Sequence, residues 1–313
     1  MTNVIKFVEK RNLWFVISFT IIAIGFAMMV GRVFNQQPAM NFGIDFSGGT
    51  SIMLKFDELQ KRYVEAEQAR HVKSDVNSDF IQDIREVLAA FKLENSSIQL
   101  TSDGEVLLRT ANFDNDKRSL ILGKLKEKLG NYELLEVDVI GPTIGSELRT
   151  QSLWIMLVVM AAMMIYISWR FEFAFGIGAL AALLHDTLMI FAVASIFHFE
   201  INIEFVAALL TVLGYSTNDT IVVFDRVREN LSLAKGPVEI GTLINSSIIQ
   251  TFPRTINTVL TVLLVLVALL IFGGTTIKPF AGMLLVGIAI GTYSSIFIAS
   301  TVLYSVLNRP KDA

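Results

Sequence analysis

Six windows of about 20 apolar residues dominate this 313-residue sequence, at roughly 14–33, 151–169, 174–197, 203–224, 256–272 and 280–305. Each is long enough to cross about 30 Å of hydrocarbon as a helix. A bilayer holds no water to satisfy free backbone groups, so a segment of this kind must bond its own amides. The chain is therefore read as an α-helical membrane protein with six transmembrane helices. The first window is too long for a signal-peptide core and no small-x-small site follows it, so it stays as an anchor. Trp14, Trp154 and Trp169, the only tryptophans, fall at window ends, where an amphipathic ring prefers the headgroups.

Between the first two windows the character changes. Residues 35–148 carry 13 Lys and Arg against 19 Asp and Glu, a net charge of −6, whereas the remaining 199 residues carry 13 against 10. The whole chain, 53% hydrophobic with a mean hydropathy of +0.56, thus contains one ordinary soluble domain inside an apolar frame. The organisation expected is 1–34 (N-terminus and first span), 35–148 (soluble domain), 149–307 (five further spans, with a loop at 225–253) and 308–313 (tail). Zero cysteines exclude disulfides, thiolate zinc sites and thiol nucleophiles. A net charge of −3 gives no reason to expect nucleic acid as a partner.

Orientation follows from the bias of Lys and Arg in short loops. With the N-terminus inside, Lys6, Lys10, Arg11, Arg170, Arg226, Arg228, Lys235, Arg254, Arg309 and Lys311 face the cytoplasm, and only Lys278 faces outward among the short loops. Both termini are then cytoplasmic in a bacterial inner membrane, and 35–148 is extracytoplasmic.

Within 35–148, alternation at 51–56, helical spacing of Phe80, Ile81, Ile84, Val87, Leu88 and Phe91, a hairpin at 97–110, a helix through Leu120, Ile121, Leu125 and Leu129, and alternation at 133–140 give the order βαββαβ. This predicts an α+β, ferredoxin-like sheet with helices on one face. The polar stretch 57–75 shows no apolar face and is expected to be an exposed insertion. The glycine-rich segment GIDFSGGT at 43–50 stops short of a phosphate loop, because Gly49 stands where the lysine would be. Gly43, Gly48 and Gly49, with Gly141, Pro142 and Gly145 at the return to span two, are read as close backbone packing and a hinge.

Charge inside a bilayer costs about 2.5–3.5 kcal/mol, so ionisable residues within the spans are functional candidates by default. His185 and Asp186 lie near the middle of span three, and Asn218 and Asp219 lie in span four. Arg254 stands behind Pro253 at the mouth of span five. Thr211, Tyr215, Asn218 and Asp219 form one polar helical stripe, and Arg254, Asn257, Thr258 and Thr261 another. Turned toward each other, the two would make a hydrated path with one carboxylate able to take and release a proton. The competing reading is a structural ion pair, and His185 would then only bridge helices. Gly282, Gly287, Gly291, Ser294 and Ser295 read as close helix packing. Asp225, Arg226, Arg228 and Glu229 read as a solvated turn, and 237–250 as an amphipathic helix along the inner surface.

GIDFSGGT at 43–50, GPTIGSEL at 141–148, His185-Asp186, GYSTNDTIVVFDRVREN at 214–230 and Arg254-Thr255 together resemble the SecF family of the bacterial protein-export machinery, part of the resistance-nodulation-division superfamily. The likeness covers nearly the whole chain. It implies SecD, the SecYEG translocon, YajC, a translocating preprotein and the lipid bilayer as partners, with no cofactor and no metal. It also implies that the proton-motive force is used in the late stages of export. In the family pattern Asp219 matches the span-four aspartate implicated in proton passage and Arg254 the arginine opposite it, with Pro253 where a polar residue is expected. A scaffold of the translocon and half of a small-molecule or lipid exporter are the alternatives. No nucleophile, base and orienting group converge, so an enzyme is not expected.

Overall fold

The computed structural model describes residues 6–68, 73–93, 96–100, 104–111, 113–234, 236, 238–274 and 277–308. In chain order a 3₁₀ turn (Val8–Lys10) leads into α1 (Arg11–Phe34), followed by β1 (Asn41–Phe42), α2 (Ile44–Ser47), β2 (Gly49–Phe56), α3 (Asp57–Gln68) and α4 (Lys73–Ala89). Next come β3 (Ser97–Leu100), β4 (Glu105–Thr110), α5 (Asn115–Leu129), β5 (Tyr132–Ile140) and α6 (Pro142–Arg170). The chain continues with α7 (Phe173–Ile196), β6 (Glu200–Ile201), α8 (Ile203–Leu233), α9 (Ile240–Phe272) and α10 (Ile277–Ser294), which passes through a π-helical turn (Ser295–Ala299) into α11 (Ser300–Leu307). The chain divides into two compact units, one of 1–41 and 152–313 and one of 42–151.

Among the described residues, six helical stretches are long and apolar enough to cross a membrane: Val8–Phe34, Pro142–Arg170, Phe173–Ile196, Ile203–Leu233, Ile240–Phe272 and Ile277–Leu307. All six overlap the expected windows. Helices α7, α8 and α10–α11 form the packed centre, while α1, α6 and α9 leave most of their apolar surface uncovered. Glycine sets the close approach of α10 to α8, since a Cβ at Gly287 would lie 2.4 Å from Val212 Cγ2 and one at Gly291 2.9 Å from Ser216 Cβ. Apolar helices in lipid gain little from burial alone, so small residues of this kind are what let them pack. At one end of the unit, Phe171, Phe175 and Phe224 form a buried aromatic cluster with ring centroids 5.3–6.3 Å apart.

Two expectations for this unit are corrected. The separate surface helix expected over 237–250 is not formed by the described residues: from Ile240 onward they are the start of α9, where Leu243, Ile244, Asn245, Ser247 and Ile248 are buried. Asn245 explains the burial, for its Oδ1 accepts from the Phe7 and Val8 amides at 2.9 and 3.1 Å and its Nδ2 donates to both Glu9 oxygens. Those amides open a helix and have no intrahelical acceptor. The run Asp225, Arg226, Arg228 and Glu229 is likewise not a turn but part of α8. Asp225 pairs with Arg228 and Arg170, while Arg226 donates to Gln250 on α9.

The second unit is a four-stranded sheet in the order β3-β4-β2-β5, with every neighbouring pair antiparallel. Ile52, Leu54 and Phe56 alternate along β2 and bury against Phe80, Ile84 and Leu88 of α4 and Ile121, Leu125 and Leu129 of α5. The i, i+4, i+8 spacing of the last three fixes the inward face of α5, and Leu120, expected to mark that helix, points outward. The stretch expected as an exposed insertion is corrected. Residues 57–68 are helical, Leu59 is fully buried in the core and Tyr63 packs against it. Leu59 and Tyr63, one turn apart, are enough to seat this helix on the core. His71 lies outside the described residues.

The glycine-rich segment behaves as packed backbone. Gly48 and Gly49 take φ of 72° and 149°, conformations that favour glycine. A Cβ at Gly48 would lie 2.8 Å from Pro142 Cα, and one at Gly145 2.9 Å from the Gly48 amide nitrogen. The 43–50 segment and the first turn of α6 are therefore in contact. Gly43 opens α2, and Gly141 has open space around it.

Candidate functional site

Among the polar side chains inside the apolar bundle, two groups hold a buried carboxylate. The first is centred on Asp219 of α8, which is buried. Thr292 of α10 stands beside its carboxylate, its hydroxyl donating to the Ile288 carbonyl at 2.9 Å, and Arg254 is near enough for its charge to favour the ionised form. No ion pair within 4.0 Å joins Asp219 to Arg254 among the described residues. The facing stripes expected within this chain are thus corrected. Thr211, Tyr215 and Asn218 on α8, and Arg254, Asn257, Thr258 and Thr261 on α9, are all exposed rather than packed on one another. The physical reason is periodicity: the buried positions of α8 (Val212, Ser216, Asp219, Val223) and of α9 (Thr251, Thr255, Val259) lie on neighbouring faces, which leaves the stripes beside the contact.

Pro253 lies inside α9 rather than ahead of it. Its missing N–H leaves the Ile249 carbonyl without its usual partner, yet the helix continues through Arg254 and onward. Thr255, one residue on, has a buried Oγ1 with no hydrogen-bond partner.

The second group is centred on His185 and Asp186 of α7, 8% and 0% exposed. Although adjacent, the two side chains meet, with His185 Nδ1 3.0 Å from Asp186 Oδ1. His185 Nε2 lies 2.9 Å from Ser18 Oγ on α1, which lies 3.2 Å from the Tyr293 hydroxyl on α10. That hydroxyl lies 3.0 Å from the Trp14 carbonyl. On the other side Ser216 of α8 donates to Asp186 Oδ2 at 2.5 Å and stands 3.3 Å from Ser294 Oγ. One continuous network therefore joins α1, α7, α8 and α10.

Sequence reasoning found both carboxylates but missed Ser18, Ser216, Thr292 and Tyr293, and it took Ser294 for packing alone. A usable signal was present: each is a hydroxyl in the interior of an apolar window, where an unpaired polar group is costly. His198 is exposed, and its carbonyl accepts from Asn41.

A six-span apolar unit combined with an α+β unit defines a multi-pass membrane protein. Comparison with known sequences identifies its kind. Residues 121–309 match the family described as protein export membrane protein SecD/SecF, C-terminal, and residues 38–58 match the SecD/SecF GG motif. The chain belongs to the SecD/SecF family. It is 38% identical over 300 residues to the protein translocase subunit SecF of Sebaldella termitidis, covering 96% of this chain and 91% of that one. It is also 38% identical to the SecF of Desulfurispirillum indicum, over 98% of this chain and 92% of that one. These names denote a transport role, not an enzymatic one. Among solved structures it is similar to SecDF, a translocon-associated membrane protein from Thermus thermophilus, with a TM-score of 0.80 and 30% identity over 98% of this chain. The chain spans 39% of the length of that SecDF chain. A super-membrane-facing form of SecDF matches with a TM-score of 0.67 and 30% identity.

Proposed function

We propose that this chain is the SecF-type half of a proton-driven export motor, paired with SecD beside the SecYEG translocon. Both termini face the cytoplasm of the inner membrane, and the unit between the first two spans is extracytoplasmic, with a ferredoxin-like arrangement that the strand order β3-β4-β2-β5 supports.

The observation that carries the reading is a buried Asp219 beside polar stripes that stay exposed on this chain alone. Arg254 and Asn218 facing hydrocarbon would cost several kcal/mol, so a polar partner surface is the natural cover for them. SecD provides it in this reading, and the proton path then runs between the two chains, with Asp219 as the carrier, Asn218 lining the path and Arg254 biasing the carboxylate. One charge crossing the membrane field is worth about 2.3 kcal/mol per 100 mV, enough to bias a two-state motion of the outer unit about the Gly43, Gly48, Gly49 and Gly141, Pro142, Gly145 segments.

The test is Asp219→Asn with SecD present. Export should lose its dependence on the membrane potential while SecD still copurifies in normal amount. Potential-dependent export at the unmodified level in that variant sinks the relay.

A further inference from the structure

We infer that His185 and Asp186 form a second proton-binding site, seen here in its proton-loaded form, and that release of the proton loosens α10 from α1. The inference rests on the proton-coupled reading above for its place in the work cycle, but its evidence is a separate set of residues.

The hydrogens available to four contacts fix the protonation state of the pair. The contacts are Asp186 to His185 Nδ1, His185 Nε2 to Ser18, Ser18 to Tyr293, and Tyr293 to the Trp14 carbonyl. A hydroxyl donates one hydrogen, and a backbone carbonyl donates none. The Trp14 carbonyl must receive the Tyr293 hydrogen. Tyr293 oxygen can then only accept, so Ser18 donates to it, and Ser18 oxygen in turn accepts from Nε2–H. With Nε2 protonated, the Nδ1 contact to Asp186 also needs a hydrogen, held either on the ring as an imidazolium beside a carboxylate or on Asp186 beside a neutral ring. Both forms contain the same number of protons, and Ser216 satisfies Oδ2 in either.

Remove one proton and all four contacts can no longer hold. Asp186 is then ionised, Nδ1–H donates to it and Nε2 becomes an acceptor that takes the Ser18 hydrogen. Tyr293 must choose between Ser18 and Trp14, and one link from α10 to α1 is lost. Tyr293 sits two residues before the π-helical turn at Ser295–Ala299, a backbone defect that interrupts regular helical bonding and recurs at functional sites. The loosened link is therefore placed where span six can change register most cheaply.

The surroundings leave few other groups to hold this proton. From α1 the pair is faced by Ser18, from α10 by Tyr293, whose ring centroid is 5.9 Å from that of His185, and from α8 by Ser216, with Asp219 one turn further along. The π-helical turn and α11 present no charged side chain to it.

The experiment follows the nitrogens of His185 by ¹⁵N NMR. The full chain is reconstituted in lipid nanodiscs with His71→Gln and His198→Gln, which leaves one labelled histidine. Nε2 should pass from protonated to unprotonated as pH is raised from 5 to 9. The midpoint should move by about 0.7 pH unit in Ser18→Ala or Tyr293→Phe, the equivalent of one hydrogen bond of about 1 kcal/mol. The transition should persist in Asp219→Asn, which separates this site from the relay. An Nε2 that keeps one protonation state across the range, a midpoint unmoved in both network variants, or a transition that vanishes in Asp219→Asn each overturns the second site. Failure of the Asp219 relay in export assays leaves the nitrogen titration standing as its own result.

Discussion

Ser216 on α8 donates a 2.5 Å hydrogen bond to the buried carboxylate of Asp186 on α7, and so ties the helix that carries Asp219 to the polar pair of its neighbour. The two carboxylates are thereby mechanically related without touching, because Ser216 and Asp219 lie three residues apart on α8.

Ser216→Ala removes one acceptor satisfaction from a carboxylate that is 0% exposed. Leaving a buried acceptor unsatisfied costs about 1–3 kcal/mol. The variant should unfold at lower temperature in detergent, while Ser232→Ala, whose hydroxyl bonds only a neighbouring carbonyl at the exposed end of α8, should be indistinguishable from the parent.

Gly287→Ala should push α10 off α8, since its Cβ would sit 2.4 Å from Val212 Cγ2. Overpacking of this kind costs about 1–3 kcal/mol. Gly31→Ala, in α1 with open space around it, is the control and should be neutral or mildly stabilising. Equal unfolding temperatures for the two would show that the α8–α10 approach has slack.

The spans were legible because apolar length is a strong signal in a bilayer, and the sheet because its strands alternate and its hairpin is marked by Gly104. What was not legible has two causes. Leu59 and Tyr63, the side chains that reach the core, stand among charged and amide neighbours, so α3 reads from sequence as an exposed insertion. Hydroxyls such as Ser18 and Tyr293 satisfy themselves equally well on their own helix, as Thr211 does on the Ala207 carbonyl, and nothing in a single sequence says which of them reach across. The outward turn of Arg254 and Asn218 was hidden for a related reason: helical spacing tells which residues share a face but not which neighbour that face meets.

Asn245→Leu should free the amino-terminal segment. Its side chain accepts from the Phe7 and Val8 amides and donates to Glu9, and loss of both leaves buried donors unmet at about 1–3 kcal/mol each. Limited trypsin digestion at Lys10 and Arg11 should be faster by an order of magnitude or so, with the six-span unit otherwise intact.

Leu59→Ala should destabilise the sheet unit by about 2–5 kcal/mol, the cost of a buried leucine cavity. Hydrogen exchange at β2 and α4 amides in the full chain should accelerate accordingly. Glu58→Ala, whose pairing with Arg62 is 3.6 Å and solvent-exposed, should change exchange little.

Arg254 offers the sharpest distinction between charge and shape. Among the described residues it makes no close ion pair with Asp219, though it lies near enough for its charge to favour the ionised carboxylate. If its role is a through-space bias, Arg254→Lys should preserve most potential-dependent export, because a lysine keeps the charge on a stem of similar reach. Arg254→Gln should then lose it. If instead the guanidinium forks onto a partner surface, the lysine fails as well, since an ammonium cannot reproduce two parallel donors. Export assays on the two variants, with SecD copurification measured alongside, decide between these: activity in Lys but not Gln supports the bias, and equal loss in both with weakened SecD binding assigns Arg254 to the interface.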